Sequence, residues 1–242
     1  MENSQNDDGK AKSSIWGWIV VLLIALAAAV GHAFGRFSYG VVLPAVRDDM
    51  GITNALAGSI GAANVSAYLL GTIVVAWATS RFRLASVMRL GLILVALGLL
   101  MASLATGPWS LSAGLFLTGM GGAFLWIPSP VIAADALPDN QRHLAVGWLG
   151  SGVGLGIMFA SIVAGMLRSS EGDSSWSSVY QIQFGVGFIL LVLVLFFVRH
   201  QQDAPSGGAG MGGFTALRRM PGWLPLILAY ATFGFINLLV VG

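Results

Sequence analysis

The first long apolar stretch of the sequence contains three side chains that could do chemistry: His32, Arg36 and Tyr39. Arg36 follows His32 by four positions and precedes Tyr39 by three, so a helix would present all three on one face. A guanidinium offers a planar fork of donors that suits a carboxylate or a phosphate. An imidazole can carry a proton, and a phenol can donate or accept a hydrogen bond. The pattern therefore indicates a site that binds an anion.

The sequence around this trio is that of an integral membrane protein. Of its 242 residues, 56% are hydrophobic and 9% are charged, whereas soluble domains carry about a quarter charged residues. The net charge is only +2, and the sequence contains no run of basic residues, which argues against a nucleic-acid partner. The chain has no cysteine, and its three histidines lie on separate segments. We therefore expect no disulfide, and we expect no metal site, no cofactor and no enzymatic site.

Seven segments are long and apolar enough to cross a bilayer as helices, which takes about 20 residues. They are Trp16–Val46, Leu56–Ser80, Ser86–Ala105, Trp109–Ala136, Leu144–Leu167, Val179–Val198 and Trp223–Val241. This predicts an all-α integral membrane fold. The predicted divisions are a cytoplasmic polar tail (residues 1–15), a six-helix bundle (16–198), a cytoplasmic linker rich in Gly and Pro (199–221) and an incomplete seventh helix (222–242).

Basic residues predict which side of the membrane each loop faces. With the N-terminus inside, the cytoplasmic segments and adjoining helix ends hold Lys10, Lys12, Arg81, Arg83, Arg89, Arg142, Arg199, Arg218 and Arg219. The outer segments hold only Arg47 and Arg168. This excess predicts a multi-pass protein of the inner (plasma) membrane with a cytoplasmic N-terminus. A signal peptide cleaved near Ala29 is the alternative. The apolar run continues past that point to Val46, which argues against cleavage.

Arg36 lies about 15 Å from the outer end of its predicted helix, near the bilayer midplane. An arginine at that depth costs about 2.5–3.5 kcal/mol to insert, so it should face a polar interior. Two other roles remain open: Arg36 could snorkel to the outer interface, or it could bind backbone carbonyls as a structural anchor. No Asp or Glu lies well inside a predicted span. An organic anion therefore suits this interior better than a cation, and His32 could carry a coupling proton.

The first and fourth predicted spans carry prolines at corresponding places, Pro44 in one and Pro128 with Pro130 in the other. Spans that are three apart run in opposite directions. Matched interruptions in inverted repeats indicate the binding site of a transporter, although each proline could merely kink its helix.

Further polar and small residues extend the prediction beyond the first span. The additional solute-binding candidates are Asn64, Tyr68, Trp126 and Ser129, each of which could instead form a contact between helices. Glycines spaced four apart allow helix backbones to approach closely. The predicted packing glycines are Gly31, Gly35, Gly150, Gly152, Gly154 and Gly156.

Three motifs resemble the first half of a major facilitator superfamily (MFS) transporter, and more narrowly its YbfB/YjiJ-like branch. They are Gly35–Pro44, Ala63–Gly71 and Gly147–Ile157. The resemblance implies two six-helix bundles, each built from two inverted three-helix repeats, with a central site and alternating access. In similar organophosphate transporters of this superfamily, a first-helix arginine binds the substrate's phosphate, which by analogy supports an anion at Arg36.

The resemblance also has departures. The family's gating loop motif corresponds to Arg81 and Arg83, but Ser80 stands where an acidic residue is usual. Leu115 replaces a usual arginine, and Ile157 replaces the proline of the antiporter motif, which disfavours proton-coupled multidrug export. We expect a secondary transporter of a small organic anion, truncated or fragmentary, that needs its missing half or a second copy. The alternative is a membrane receptor or assembly subunit that does not transport.

Overall fold

A computed structural model describes residues 2–198, 219, 221–225, 227–229 and 231–232. Six helices within this part of the chain are long and apolar enough to cross a membrane. These spans, numbered first to sixth below, are Ile15–Met50, Asn54–Ala78, Leu84–Ser103, Pro108–Asp135, Asp139–Glu171 and Asp173–Phe197. The first six predicted spans and the all-α bundle are thus confirmed, while the predicted linker and seventh helix lie largely outside the described residues.

The first span is built of three pieces. They are α1 (Glu2–Ala28), a π-helix (Ala29–Phe37) and α2 (Ser38–Met50). Helix α1 includes the segment predicted as a polar tail. The other helices are α3 (Asn54–Ala78), α4 (Leu84–Ser103), α5 (Pro108–Trp126), α6 (Ser129–Asp135), α7 (Arg142–Glu171) and α8 (Trp176–Phe197). No strand occurs among the residues described.

Local sequence explains where several helices end. Gly51 has a φ of 60°, the left-handed conformation that terminates α2. The side chain of Thr53 then accepts a hydrogen bond from the Leu56 nitrogen and caps α3. In the fourth span, Pro128 has no N–H to continue α5, so the chain breaks there and resumes as α6. Pro44, by contrast, lies inside α2 without ending it.

The first and fourth spans form the centre of the bundle. In their most apolar windows, 78% and 61% of the residues are buried, against 22–44% in the other four spans. The first span packs against all five other spans, and the fourth packs against the first, second, third and fifth. The two spans with matched prolines are therefore the two most deeply buried in the bundle.

The third and fourth spans approach each other through glycines that the sequence analysis did not single out. A methyl group on Gly91 would lie 2.5 Å from the Leu125 nitrogen, and one on Gly98 would lie 2.7 Å from the Gly114 carbonyl oxygen. Real Cβ atoms do not approach so closely, so glycine is required at both positions if the helices keep this separation.

The predicted packing glycines of the fifth span divide into two sets. A Cβ on Gly152 would lie 2.5 Å from the Ala25 carbonyl oxygen, and one on Gly156 would lie 2.7 Å from the Ala33 Cβ. Gly150 and Gly154 face open space within the described part of the chain. Gly31 and Gly35 on the first span meet Leu125 and Thr118 of the fourth.

A polar layer closes the end of the bundle that is predicted to be outside. Trp176 Nε1 donates a 2.8 Å hydrogen bond to Asp49, which ties the start of α8 to the end of α2. Nearby, the Arg168 guanidinium lies 2.8 Å from Asp173 and 3.4 Å from Asp48. This layer joins the first, fifth and sixth spans.

Large apolar side chains cover the outside of the bundle. Examples that are more than half exposed are Leu69, Ile73, Leu155, Phe188, Ile189 and Phe196. Such a surface suits the hydrocarbon core of a bilayer, where helices satisfy their own backbone groups.

Candidate functional site

The π-helix of the first span carries two of the predicted site residues. His32 and Arg36 both lie within Ala29–Phe37. π-Helical turns inside α-helices are rare and are often found at functional sites, because they change the direction in which side chains point. The structure therefore places its most unusual backbone at the position of the intramembrane charge.

Arg36 is half-buried and has no ionic partner within the described part of the chain. Its guanidinium carbon lies 4.6 Å from the centroid of the Tyr68 ring and 5.6 Å from that of Phe37. Both contacts are cation–π interactions, and neither brings a carboxylate to the charge. The acidic residues of the described chain lie at the helix ends and in the loops.

His32 connects the first span to two aromatic rings. Its side chain is only 7% exposed, and its ring centroid lies 4.4 Å from that of Trp126 at an interplanar angle of 35°. It meets the Tyr68 ring edge-on at 5.7 Å. Its Nδ1 has no hydrogen-bond partner among the described residues. We call Arg36, Tyr68, His32 and Trp126 the aromatic cluster; it joins the first, second and fourth spans.

Asn64 lies on the same side of the first span but its amide is already engaged. Its Nδ2 lies 2.8 Å from the Gly35 carbonyl oxygen, 2.7 Å from that of Leu115 and 3.0 Å from the Thr118 hydroxyl. The Thr118 hydroxyl lies 2.7 Å from the same Gly35 oxygen. Asn64 is 3% exposed and Thr118 is fully buried. These two side chains therefore hold the backbone of the π-helix.

Two further candidates are bonded to backbone outside the aromatic cluster. Tyr39 faces the second span, as His32 and Arg36 do, but its hydroxyl donates a 2.8 Å hydrogen bond to the Ala57 carbonyl. The Ser129 hydroxyl donates to the Leu125 carbonyl at 2.5 Å. The structure thus brings together Arg36, His32, Tyr68 and Trp126, and it leaves Asn64, Tyr39 and Ser129 in structural hydrogen bonds.

The predicted loop motif lies between the second and third spans. The Arg81 guanidinium lies 5.8 Å from the Trp77 ring centroid. Arg83 occupies the N-cap position of α4, where its carbonyl oxygen accepts a hydrogen bond from the Val87 nitrogen. Both side chains are exposed at the end of the bundle that is predicted to be cytoplasmic.

Sequence reasoning missed a buried polar contact between the first and sixth spans. Gln183 Nε2 donates a 2.6 Å hydrogen bond to the Ser38 hydroxyl, and both side chains are buried. One turn away, the Tyr180 hydroxyl is also buried. The available signal was a pair of glutamines, Gln181 and Gln183, in a largely apolar helix.

The described part of the chain contains no group of three or more His, Cys, Asp or Glu residues placed to hold a metal ion. With its ring faces and a single guanidinium, the aromatic cluster is suited to bind a small solute that carries negative charge.

Comparison with known proteins identifies a family that the chain matches. Residues 14–242 match the Major Facilitator Superfamily. The class B tetracycline resistance protein of Escherichia coli is 27% identical over 183 residues, which cover 74% of this chain and 44% of that protein. The probable galactarate/D-glucarate transporter GudP of Bacillus subtilis is 24% identical over 195 residues, which cover 78% of this chain and 42% of that protein.

A solved structure shows the same fold at low identity. The crystal structure of a mutant of the peptide transporter POT, in complex with alafosfalin, superposes with a TM-score of 0.64. The identity is 15%, and the match covers 93% of this chain and 46% of that one. The chain thus spans less than half the length of these similar proteins. The family and the transporter name of GudP point to a transporter rather than an enzyme.

Proposed function

Because the chain belongs to the Major Facilitator Superfamily, we propose that it supplies one bundle of a secondary transporter whose solute is a small organic anion bound by Arg36. The observation that carries this proposal is the guanidinium itself. It is half-buried in the first span, and no carboxylate of the described chain lies within ion-pairing distance of it.

Magnitudes support a need for an anion at this position. Inserting an arginine at mid-depth costs about 2.5–3.5 kcal/mol, whereas a cation–π contact returns about 0.5–2 kcal/mol. The contact between Arg36 and Tyr68 therefore offsets part of the cost and leaves a charge that an incoming carboxylate would stabilise. Planar donors in the guanidinium suit that carboxylate in particular.

Alternating access would require a second bundle, either the remainder of a longer chain or a second copy, because the matched proteins are more than twice as long as the matched region. We place the N-terminus in the cytoplasm and the protein in the inner membrane, as the basic residues indicate. His32 is the candidate carrier of a coupling proton, since it lies in the aromatic cluster beside Arg36.

The proposal is tested first by binding. The chain is reconstituted in lipid nanodiscs, and benzoate binding is measured by isothermal titration calorimetry against empty nanodiscs. We expect Arg36→Met to weaken binding at least ten-fold, and Arg36→Lys to retain part of it. Arg168→Met, which removes a charge at the outer polar layer, is the matched control and should bind as the wild type does. Unchanged binding by Arg36→Met would refute the proposed role.

Flux separates a transporter from the alternative of a receptor or assembly subunit. The full-length protein in proteoliposomes should take up radiolabelled terephthalate, whose two charges prevent rapid passive entry. Binding of carboxylates without uptake of any of them would favour the receptor.

A further inference from the structure

We propose that the solute is a flat carboxylate whose charge is conjugated to an aromatic or unsaturated group, and that Tyr68 and Trp126 select it. This inference rests on the proposed function, since Arg36 must bind the carboxylate. It goes further in assigning the rest of the solute and the residues that discriminate it.

The aromatic cluster forms a continuous series of contacts across three spans. Arg36 lies over the Tyr68 ring at 4.6 Å, the Tyr68 ring meets His32 at 5.7 Å, and His32 lies 4.4 Å from Trp126. The two members of the cluster on the first span, His32 and Arg36, both lie in its π-helical segment. The guanidinium therefore stands at one end of a wall of three rings.

The exposure of these rings defines which of them a solute can touch. Within this wall the His32 ring is buried, whereas Tyr68 and Trp126 are partly exposed, as is Arg36. An accessible guanidinium thus has two accessible rings in its own cluster. A solute held at Arg36 by its carboxylate can extend along the wall and contact the rings.

Ring walls distinguish flat unsaturated groups from saturated ones. Aromatic pairs gain stability beyond the area they bury when they stack with an offset or meet edge to face. A saturated ring of the same carbon number buries similar area but has no π-system to match. The wall should therefore favour benzoate over cyclohexanecarboxylate, although both carry one carboxylate and seven carbon atoms.

The polar side chains nearby argue against a solute rich in hydroxyl groups. Such a solute needs many hydrogen-bond partners, and the polar candidates around the cluster already have theirs. Asn64 is bonded to the Gly35 and Leu115 carbonyls, Tyr39 to Ala57, and Ser129 to Leu125. Displacing these bonds would leave buried carbonyls unpaired, which is costly.

The test compares three acids on the full chain in lipid nanodiscs by isothermal titration calorimetry. We expect the Kd of benzoate to be at least three-fold lower than that of cyclohexanecarboxylate, and at least ten-fold lower than that of D-glucarate. Equal or tighter binding of cyclohexanecarboxylate or D-glucarate would overturn the inference while leaving anion binding intact. If none of the three acids binds, the proposed function itself fails.

Single substitutions test whether the rings of the wall cause the preference for benzoate over cyclohexanecarboxylate. Trp126→Leu should reduce the benzoate preference at least two-fold while the Kd of cyclohexanecarboxylate changes less than two-fold, and Trp126→Phe should retain the preference. Tyr68→Phe keeps the ring and should also retain it. Trp77→Leu removes a tryptophan that is 51% exposed outside the cluster and serves as the control. An undiminished preference in Trp126→Leu would overturn the role of that ring.

Discussion

The side-chain amide nitrogen of Asn64 lies 2.8 Å from the carbonyl oxygen of Gly35, the residue immediately before Arg36. Thr118 donates toward the same oxygen from the fourth span at 2.7 Å. Two side chains from neighbouring spans thus fix one carbonyl of the π-helix. Because that carbonyl belongs to the peptide unit that leads into Arg36, these contacts constrain the backbone from which the guanidinium extends.

This arrangement predicts that Thr118→Val weakens benzoate binding about three- to ten-fold. Valine keeps the shape of threonine but cannot donate to the Gly35 carbonyl, and a hydrogen bond inside a membrane protein contributes about 0.6 kcal/mol on average, at most about 1.7. Thr118→Ser retains the hydroxyl and should bind within two-fold of the wild type. Titration calorimetry in nanodiscs measures the benzoate affinity of both variants, and thermal unfolding checks that they are folded. Equal affinities in the two variants would contradict the positioning role.

The two sets of fifth-span glycines predict a contrast in stability. Gly152→Ala should lower the free energy of unfolding by about 1–3 kcal/mol, as overpacking does, because the new methyl group would meet the Ala25 carbonyl. Gly154→Ala meets no described atom within 4 Å and should be neutral or slightly stabilising, since alanine favours helix. Thermal unfolding in detergent measures both variants. An equal loss of stability in the two would show that the described packing does not govern this helix.

In the outer polar layer, we expect the buried hydrogen bond of Trp176 to contribute more stability than the exposed ion pairs of Arg168. Trp176→Phe removes a hydrogen bond from a buried indole to the Asp49 carboxylate and should cost about 1.5–3 kcal/mol. Arg168→Gln removes two exposed ion pairs, with Asp173 and Asp48, and should cost less, about 0.2–1 kcal/mol per pair. Denaturation midpoints in detergent compare the variants, and a larger loss in Arg168→Gln would reverse the assignment.

The orientation of the bundle is testable with single cysteines because the chain contains none of its own. Ser174→Cys lies in the exposed turn before α8, and Ser80→Cys lies in the exposed loop before α4. We expect a membrane-impermeant maleimide to label Ser174→Cys in intact cells and Ser80→Cys only after permeabilisation. The opposite pattern would place the N-terminus outside.

The first six spans were predictable from hydropathy because the bilayer permits few alternatives. An apolar segment of about 20 residues must satisfy its backbone internally, which forces a helix. The position of Arg36 within its span followed from counting residues along that helix. The π-helix was not predictable, since no residue type in Ala29–Phe37 requires it. Its Gly35 carbonyl accepts hydrogen bonds from Asn64 and Thr118, which lie on other spans.

Polar residues inside the spans could be listed as candidates from the sequence, but their partners could not. Asn64 and Tyr68 lie one turn apart on the second span, and the sequence offers no reason to separate them. In the structure the amide of Asn64 binds backbone carbonyls, while the ring of Tyr68 lies beneath the guanidinium.

The amino-acid sequence alone determined the membrane class, the number of early spans and the presence of one charge within the first span, because these follow from composition and length. Tertiary structure decided which polar groups remain accessible beside that charge and which glycines bear a helix contact. The physical reason is that a side chain's partner depends on the rotation and separation of neighbouring helices. Those quantities arise only when Gly91, Gly98 and Gly152 bring the spans together.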